Sequence, residues 1–137
     1  MRHVTNLLRI QDKGELTMDG WDARPVFFVE DVERSLAFYV DRLGFDETNR
    51  YAEDGKLLLG GVHREGCPLL LNCQQPQKNG HSRYWILLSL DAYQAFRREL
   101  EVKGVAVRDD WWGFDTMVVE DPDGNELFFP VPKPEGA

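Results

Sequence analysis

The stretch that decides the fold is Asp121-Pro122-Asp123-Gly124-Asn125-Glu126-Leu127-Phe128-Phe129. Its first five residues favour a turn, because proline fixes φ, aspartate and asparagine bond their own backbone, and glycine accepts positive φ. Apolar residues lie on both sides of this turn, which predicts a β-hairpin. Alternation along the outgoing strand places Glu126 and Phe128 on one face, and Leu127 and Phe129 on the other. Glu126 therefore either faces a cavity or lies at a strand end in water.

The N-terminal half of the domain begins with a short apolar strand at residues 25–29. Asp31 follows as an N-cap residue, and apolar side chains then recur at helical spacing. Gly44 is placed to end this helix in the left-handed conformation. Turn signals then separate three further strand-like segments, at residues 46–52, 56–62 and 67–73. The first half is therefore predicted as β-α-β-β-β.

A polar linker at residues 74–82 leads to a second half with the same order of elements. It comprises a strand at 84–90, a helix from Asp91 to Gly104, and short strands at 105–108, 115–120 and 126–130. Such a duplication decides the fold class. We predict an α+β fold of two βαβββ repeats, about residues 23–74 and 83–132. Each sheet would curl with its helix outside, leaving a cavity where the concave faces meet.

The composition of the 137-residue chain, 42% hydrophobic, 29% charged and 12% aromatic, is that of one globular domain. We place this domain at residues 23–132. Residues 1–22 are predicted to be an N-terminal extension, in which Leu7, Leu8 and Ile10 pack against the domain or a partner subunit.

The charge and the absence of long apolar runs exclude several function classes. A formal net charge of -8 argues against nucleic acid or an anionic membrane as partner, because both attract a basic surface. No run of about 18 apolar residues would span a bilayer, and the N-terminus lacks the pattern of a signal peptide. Cys67 and Cys73 would lie roughly 20 Å apart along one strand, too far to bridge. We expect a reduced, cytoplasmic protein.

Short motifs in both halves resemble one known superfamily. They are Phe28-Val29-Glu30-Asp31-Val32, Ser35-Leu36-Ala37-Phe38-Tyr39 and Leu43-Gly44-Phe45 in the first half, and Lys103-Gly104-Val105, Trp112-Gly113 and residues 121–127 in the second. Between about residues 25 and 130, their order is similar to the vicinal-oxygen-chelate superfamily. That superfamily includes glyoxalase I, extradiol dioxygenases, fosfomycin-resistance enzymes and bleomycin-resistance proteins. The resemblance implies the glyoxalase-like fold.

The enzymes of this superfamily hold a divalent metal with His and Glu side chains on the first strand of each half and on the last strand. The last-strand position falls on Glu126, and the two first-strand positions fall on Arg24 and Trp85. Neither Arg24 nor Trp85 is a ligand, because a guanidinium stays protonated and an indole has no free lone pair. One carboxylate alone does not hold such a metal at useful affinity. We therefore expect no metal and no cofactor, and an enzyme is not favoured.

The histidines and cysteines offer no replacement site. His63 and His81 lie beside turn sequences without the spacing of a ligand pair, and we expect both to be exposed loop residues. His3 lies in the extension. Cys67 and Cys73 have no recognisable histidine partner that would make either a nucleophile.

Two alternatives remain for the charged residues of the site. Arg24 and Glu126 would form an ion pair in the place of the metal, the guanidinium replacing the cation. Alternatively, both lie at strand ends in water and contribute little.

Aromatic residues supply most of the predicted pocket. Alternation that turns Trp85 inward places Leu87 and Ser89 on the same face. On the first strand, Phe28 shares a face with Arg24. Trp111 and Trp112 fall in a loop that enters the last hairpin, where a core has less need of large rings. A pocket lined by Trp and Phe suits a flat organic ligand, or a cationic one stacked on indole. Packing against the core is the alternative role for each of these rings.

The sequence therefore favours a metal-free protein that resembles the bleomycin-resistance proteins, which bind a small organic compound and sequester it without chemistry. The resemblance also implies a homodimer with the ligand at the subunit interface. The expected ligand-binding residues are Arg24, Phe28, Trp85, Trp111, Trp112 and Glu126. A metal-dependent lyase, isomerase or dioxygenase is the first alternative, and a protein-interaction module is the second.

Overall fold

The computed structural model describes residues 9–10, 16–17 and 19–134. Within the N-terminal extension, a short antiparallel ladder pairs β1 (Arg9–Ile10) with β2 (Leu16–Thr17). The predicted packing of Leu7, Leu8 and the Ile10 side chain lies outside the described residues. Among the helices in the described ranges, none is long and apolar enough to cross a membrane.

The first half of the domain forms a four-stranded sheet with one helix. Its strands run in the order β3-β6-β5-β4, and β3 pairs with β6 in parallel while the other neighbours are antiparallel. The elements are β3 (Val26–Phe28), α1 (Val32–Ala37) with a π-helical turn (Phe38–Arg42), β4 (Asp46–Glu53), β5 (Lys56–Arg64) and β6 (Cys67–Asn72).

The second half repeats this arrangement, with strands in the order β7-β10-β9-β8 and a parallel β7–β10 pair. A 3₁₀ turn (Pro76–Lys78) lies in the linker between the halves. The elements are β7 (Arg83–Trp85), α2 (Leu90–Val102), β8 (Arg108–Trp111), β9 (Asp115–Glu120) and β10 (Glu126–Pro130). The predicted α+β fold of two βαβββ repeats is therefore confirmed.

The predicted helix signals of the first half are confirmed by its backbone. The Asp31 side chain accepts a hydrogen bond from the Arg34 backbone N–H at 3.1 Å, as an N-cap residue does. Gly44, which follows the π-helical turn, has φ +75°, and Gly104, which follows α2, has φ +69°. Both glycines adopt the left-handed conformation that a side chain would disfavour.

The prediction of a strand at residues 84–90 is wrong beyond Trp85, because the neighbouring strand β10 has no further backbone N–H to donate. The Ile86 N–H still reaches the Phe128 carbonyl at 2.8 Å, but the next donor on β10 would come from Pro130, which has no N–H. The chain therefore leaves the sheet after Ile86.

Two other predicted boundaries differ from the structure. The cap of α2 is Ser89, whose hydroxyl oxygen accepts from the Ala92 N–H at 3.1 Å, and Asp91 lies in the first turn. The strand predicted at residues 105–108 begins only at Arg108 and continues to Trp111. Trp111 therefore belongs to a strand and not, as predicted, to the loop before the last hairpin.

Both halves contribute to a single hydrophobic core. Leu127 and Phe129 lie in it, whereas Phe128 lies on the opposite face of β10, so the predicted alternation is confirmed. The same face of the second sheet that carries Leu127 and Phe129 packs on α2, where the Phe96 and Phe129 ring centroids are 5.1 Å apart. The face that carries Glu126 and Phe128 is directed away from α2.

Candidate functional site

The predicted turn before Glu126 is a junction between the two halves. The Asp121 carboxylate accepts hydrogen bonds from the backbone N–H groups of Asp123 and Asn125 at 2.9 Å and from the Tyr39 hydroxyl at 3.1 Å. The Asn125 amide, fully buried, donates to the Phe28 carbonyl at 3.0 Å. This turn fixes where β10 begins, and so positions Glu126.

The buried turn also shifts the pKa values of its acidic groups. Burial raises the pKa of Asp121, against the lowering effect of the hydrogen bonds it accepts from Asn125 and Tyr39. Burial beside Asp121 likewise raises the pKa of the Tyr39 hydroxyl well above its usual value. Asp121 and Tyr39 form their hydrogen bonds within the junction, and the role of the Asp121 carboxylate is therefore structural.

Glu126 begins β10 on the face directed away from the core. Across the sheet, its neighbours in register are Glu120 on β9 and Arg83 on β7. The Glu126 carboxylate bonds Arg108 at 2.9 Å and Arg83 at 3.2 Å, and Arg108 also bonds Glu120 at 2.6 Å. We call Arg83, Glu126, Arg108 and Glu120 the ion-pair ladder. It neutralises two carboxylates that would otherwise repel each other across adjacent strands.

Four aromatic rings lie beside the ladder on this face of the sheet. Ring centroids are 4.4 Å apart for Trp112 and Phe128, 6.2 Å for Trp85 and Trp112, and 5.7 Å for Trp85 and Phe114. These tilted and edge-to-face contacts are typical of stable ring pairs. We call Trp85, Trp112, Phe114 and Phe128 the aromatic cluster.

The aromatic cluster is open to solvent at its two tryptophans. Trp85 is 48% exposed and Trp112 is 39% exposed, whereas Phe128 beneath them is 2% exposed. The Arg83 guanidinium carbon lies 5.5 Å from the Phe128 centroid and 5.9 Å from the Trp112 centroid, within the range of a cation–π contact. An exposed indole surface bordered by paired charges can accept a flat apolar group, or a cation that replaces the guanidinium.

The other predicted site residues are not part of this arrangement. Arg24 bonds Asp22 at 2.7 Å, and no ion pair with Glu126 forms among the described residues, so the predicted Arg24–Glu126 pair is wrong. Alternation along β8 places Trp111 on the opposite side from Asp110, whose carboxylate accepts from the Trp112 indole at 3.4 Å. Phe28, on the first sheet, lies under the Lys78 ammonium group at 5.4 Å.

The histidines and cysteines are dispersed. His63 is half-buried at the end of β5, not fully exposed as predicted, and its Nε2 accepts from the Gly66 N–H at 3.1 Å across the turn. His81 is exposed. Cys67 and Cys73 are both free thiols, and burial raises the pKa of Cys67. A raised pKa keeps most of a thiol protonated near neutral pH and slows its reactions, which does not favour a catalytic nucleophile.

The residues of the site do not fit a divalent metal. Around Glu126 the structure gathers Arg83 and Arg108, and these two guanidinium groups already occupy its oxygens. In the described ranges of the chain, no three His, Cys, Asp or Glu side chains come together where an ion could be held. No step through a metal follows from these residues.

Sequence reasoning missed Arg83, Arg108, Glu120, Phe114 and Phe128 as members of the site. A signal existed for Arg83, since it lies two residues before Trp85 and alternation places both on one face. Phe128 had the same signal relative to Glu126. Arg108 and Glu120 depend on the register of β8, β9 and β10, which no local pattern gives.

Comparison with known proteins now places the chain in a family. A sequence profile of the Glyoxalase/Bleomycin resistance protein/Dioxygenase superfamily matches residues 23–129, and the chain belongs to this superfamily. Among curated protein sequences, none matches the chain at a significant level.

Solved structures share the fold at low sequence identity. The antibiotic binding protein TnmS3 from Streptomyces sp. CB03234 is 24% identical over 85% of this chain and 100% of its own, with a TM-score of 0.66. The bleomycin-binding protein from bleomycin-producing Streptomyces verticillus, complexed with copper(II)-bleomycin, is 23% identical over 85% and 100%, with a TM-score of 0.59. A lactoylglutathione lyase from Agrobacterium tumefaciens is 17% identical over 80% and 92%, also at 0.59. Since binding proteins and an enzyme share this fold, the site has to decide between their functions.

Proposed function

We propose that the chain binds a small organic compound on the aromatic cluster and sequesters it without chemistry, as the antibiotic-binding members of the superfamily do. The observation that carries the proposal is the exposure of Trp85 and Trp112, 48% and 39%, on the sheet face directed away from α2. Large rings exposed together mark a binding surface. A ligand that covers about 100 Å² of this apolar surface would gain about 2.5 kcal/mol from burial.

The aromatic cluster favours a ligand with a flat ring system, cationic or neutral. Its rings provide stacking surface, and Phe128 supports Trp112 from below at 4.4 Å. The negative charge of the whole chain, -8, favours a cation over an anion at longer range. In this proposal Glu126 is a binding residue next to the rings and has no catalytic role.

The proposal includes a cytoplasmic homodimer, with the aromatic cluster close to the subunit interface. Arg24, Phe28 and Trp111, expected as ligand contacts, lie outside the cluster of one chain. A second copy that brings its first sheet towards the cluster would allow the half-buried Phe28 to reach the same ligand, whereas the Arg24 side chain is buried against Asp22 in its own chain. This part of the proposal rests on the family resemblance.

Tryptophan fluorescence tests the binding proposal directly. Purified protein is titrated with a panel of cationic, neutral and anionic aromatic compounds. We expect saturable quenching by flat cationic or neutral compounds, and its loss in the Trp85→Ala and Trp112→Ala variants. Trp21→Ala is the matched control, because Trp21 is 96% exposed and lies outside the cluster. A flat response across the panel would favour the protein-interaction module instead.

Metal analysis separates the binding protein from the enzymes of the superfamily. Protein purified and then equilibrated with Zn²⁺, Ni²⁺ or Fe²⁺ should hold no stoichiometric ion after desalting, because Glu126 is bonded to Arg83 and Arg108. One ion per chain that is lost in the Glu126→Ala variant would overturn the proposal and favour a metal-dependent lyase, isomerase or dioxygenase.

A further inference from the structure

A second concave surface lies on the other side of the second sheet, against α2. It is a cavity of about 400 Å³ between the β5–β6 turn and the helix, and we call it the helix groove. Ile86 and Phe129 form part of its floor. Because Phe129 lies on the opposite face of β10 from Phe128, the helix groove and the aromatic cluster are separated by the sheet itself.

The sequence leaves this space open in two ways. The chain departs from the sheet after Ile86, since Pro130 supplies no further donor, and Leu87 is left 73% exposed at the rim. On the helix, two of the side chains that line the groove are alanines, Ala92 and Ala95. Side chains as small as alanine leave unfilled the volume that larger apolar residues would occupy in a close-packed core.

The lining is mainly apolar, and two of its three charged side chains, Arg64 and Glu99, neutralise each other, while Glu65 is exposed in the β5–β6 turn. Four residues of the lining are each at most 6% exposed, namely Phe45, Ile86, Phe96 and Phe129. At the rim, both guanidinium Nη atoms of Arg64 bond the Glu99 carboxylate at 3.0 Å.

The rim pair also leaves little capacity for a charged ligand. Arg64 donates to the Leu43 carbonyl at 2.7 Å and lies 5.2 Å over the Phe96 ring. Its hydrogen bonds hold the pKa of Glu99 below the usual value, so the pair stays ionised and mutually satisfied at neutral pH. A charged group of a ligand placed against Arg64 or Glu99 would have to break this pair.

We propose that the helix groove is a second binding site, for a small, neutral, apolar organic molecule. The volume falls within the range of about 300–1,000 Å³ of small-molecule sites, and the lining is mainly hydrophobic with few polar groups, as in such sites. The site is independent of the aromatic cluster, from which the second sheet separates it.

The probe for this site is N-phenyl-1-naphthylamine, a neutral apolar dye that becomes fluorescent when it is removed from water. We expect one saturable site per chain in the Trp85→Ala variant, in which the aromatic cluster no longer offers a second place for the dye. Ala95→Leu and Ala92→Leu, which fill the groove from the helix, should each weaken dye binding about tenfold or more. Ala52→Leu, at an exposed position on β4, is the matched control and should bind as the unmodified protein does. Circular dichroism verifies that each variant is folded.

Cys67 gives a second readout inside the groove. In a Cys73→Ser background, saturation with the dye should slow the reaction of Cys67 with N-ethylmaleimide, since the Cys67 side chain lines the cavity. The Trp85→Ala variant should retain dye binding and this protection, which separates the groove from the proposed function of the cluster. Three results would each overturn the second site. They are failure of the unmodified protein to bind the dye, unchanged dye binding in both Ala92→Leu and Ala95→Leu, and loss of dye binding in Trp85→Ala.

Discussion

Arg108 is the residue on which the charge of the candidate site depends. It bonds Glu126 at 2.9 Å and Glu120 at 2.6 Å, two carboxylates that lie opposite each other on adjacent strands. Its hydrogen bond to Glu126 raises the pKa of the Arg108 guanidinium. Arg108 thus occupies the place that a cationic group of a ligand would take.

This competition predicts an increase in affinity on removal of a positive residue. Arg108→Gln frees Glu120 and leaves Glu126 bonded to Arg83 alone, and we expect cationic aromatic compounds to bind about two- to fivefold more tightly, the range of an exposed ion pair. Anionic compounds should bind more weakly. Titration by tryptophan fluorescence measures both.

Arg50→Gln is the matched control for Arg108→Gln, because Arg50 also bonds two glutamates, Glu47 and Glu33, but lies on the first sheet. It removes the same charge and should leave affinity nearly unchanged. A weaker interaction of cationic compounds with Arg108→Gln would show that the guanidinium contacts the ligand itself.

Tyr84 makes stability depend on pH in the alkaline range. Its burial, with a smaller contribution from Cys67, raises the pKa of its hydroxyl to about 12. A tyrosine in the unfolded chain has a pKa of about 10, so between pH 10 and pH 12 the unfolded state loses this proton before the folded state does. The contribution of Tyr84 to the free energy of unfolding is therefore fully present below about pH 10 and is lost as the pH rises towards 12.

Chemical denaturation at pH 9 and pH 11.5 tests this dependence. Tyr84→Phe removes one ionisation and should lose less unfolding free energy between the two pH values than the unmodified protein does. Burial also raises the pKa of Tyr39, so part of the loss will remain in the Tyr84→Phe variant. Equal losses in the two proteins would mean that the Tyr84 hydroxyl reaches water freely.

The features that depend on only a few neighbouring residues could be predicted from the sequence. The turn at residues 121–125, the N-cap Asp31 and the glycines after both helices each follow from the chemistry of a few neighbouring residues. The end of β7 could not, because its cause is Pro130 on a strand that is distant in sequence and adjacent only in the sheet. Likewise, the pairing of Arg108 with Glu126 depends on the register of three strands.

The turn at residues 121–125 carries more than its local pattern indicated. Besides its bond to the Phe28 carbonyl, Asn125 accepts from the Ser82 N–H at 2.9 Å, so one side chain ties β10 to the first strands of both halves. Gly80, with φ +81°, approaches the same turn so closely that a side chain there would collide with the Asp123 carbonyl. The sequence predicted the turn and Glu126 after it, but not this junction.

Loss of the junction should be costly. Asn125→Ala removes three hydrogen bonds, to Phe28, Ser82 and Asp121, and at about 1 kcal/mol for each bond we expect a loss of about 3 kcal/mol in the free energy of unfolding. Urea denaturation measures it. Gln77→Ala, at an exposed position in the linker, should change stability by less than about 0.5 kcal/mol. A loss below about 1 kcal/mol in Asn125→Ala would mean that water replaces these bonds.

At the scale of the whole molecule, one chain leaves its aromatic cluster partly uncovered. Family membership and the acidic composition were accessible from the sequence because both are distributed over many residues. The site was only partly accessible. Trp85, Trp112 and Glu126 lie together, whereas Arg24, Phe28 and Trp111 do not. The exposure of Trp85 and Trp112 in one chain is what a site completed by a second chain would produce.

A site completed by a second chain couples ligand affinity to protein concentration. If the proposed homodimer forms the complete site, dilution below its dissociation constant removes binding sites, and the apparent affinity for a ligand of the aromatic cluster falls. Sedimentation velocity should give twice the 15.8 kDa of the chain at high concentration, and ligand should shift the dimer to lower concentrations. Dye binding in the helix groove, which lies within one chain, should not change on dilution. Ligand affinity that stays constant from dimer to monomer would place the whole binding site within a single chain.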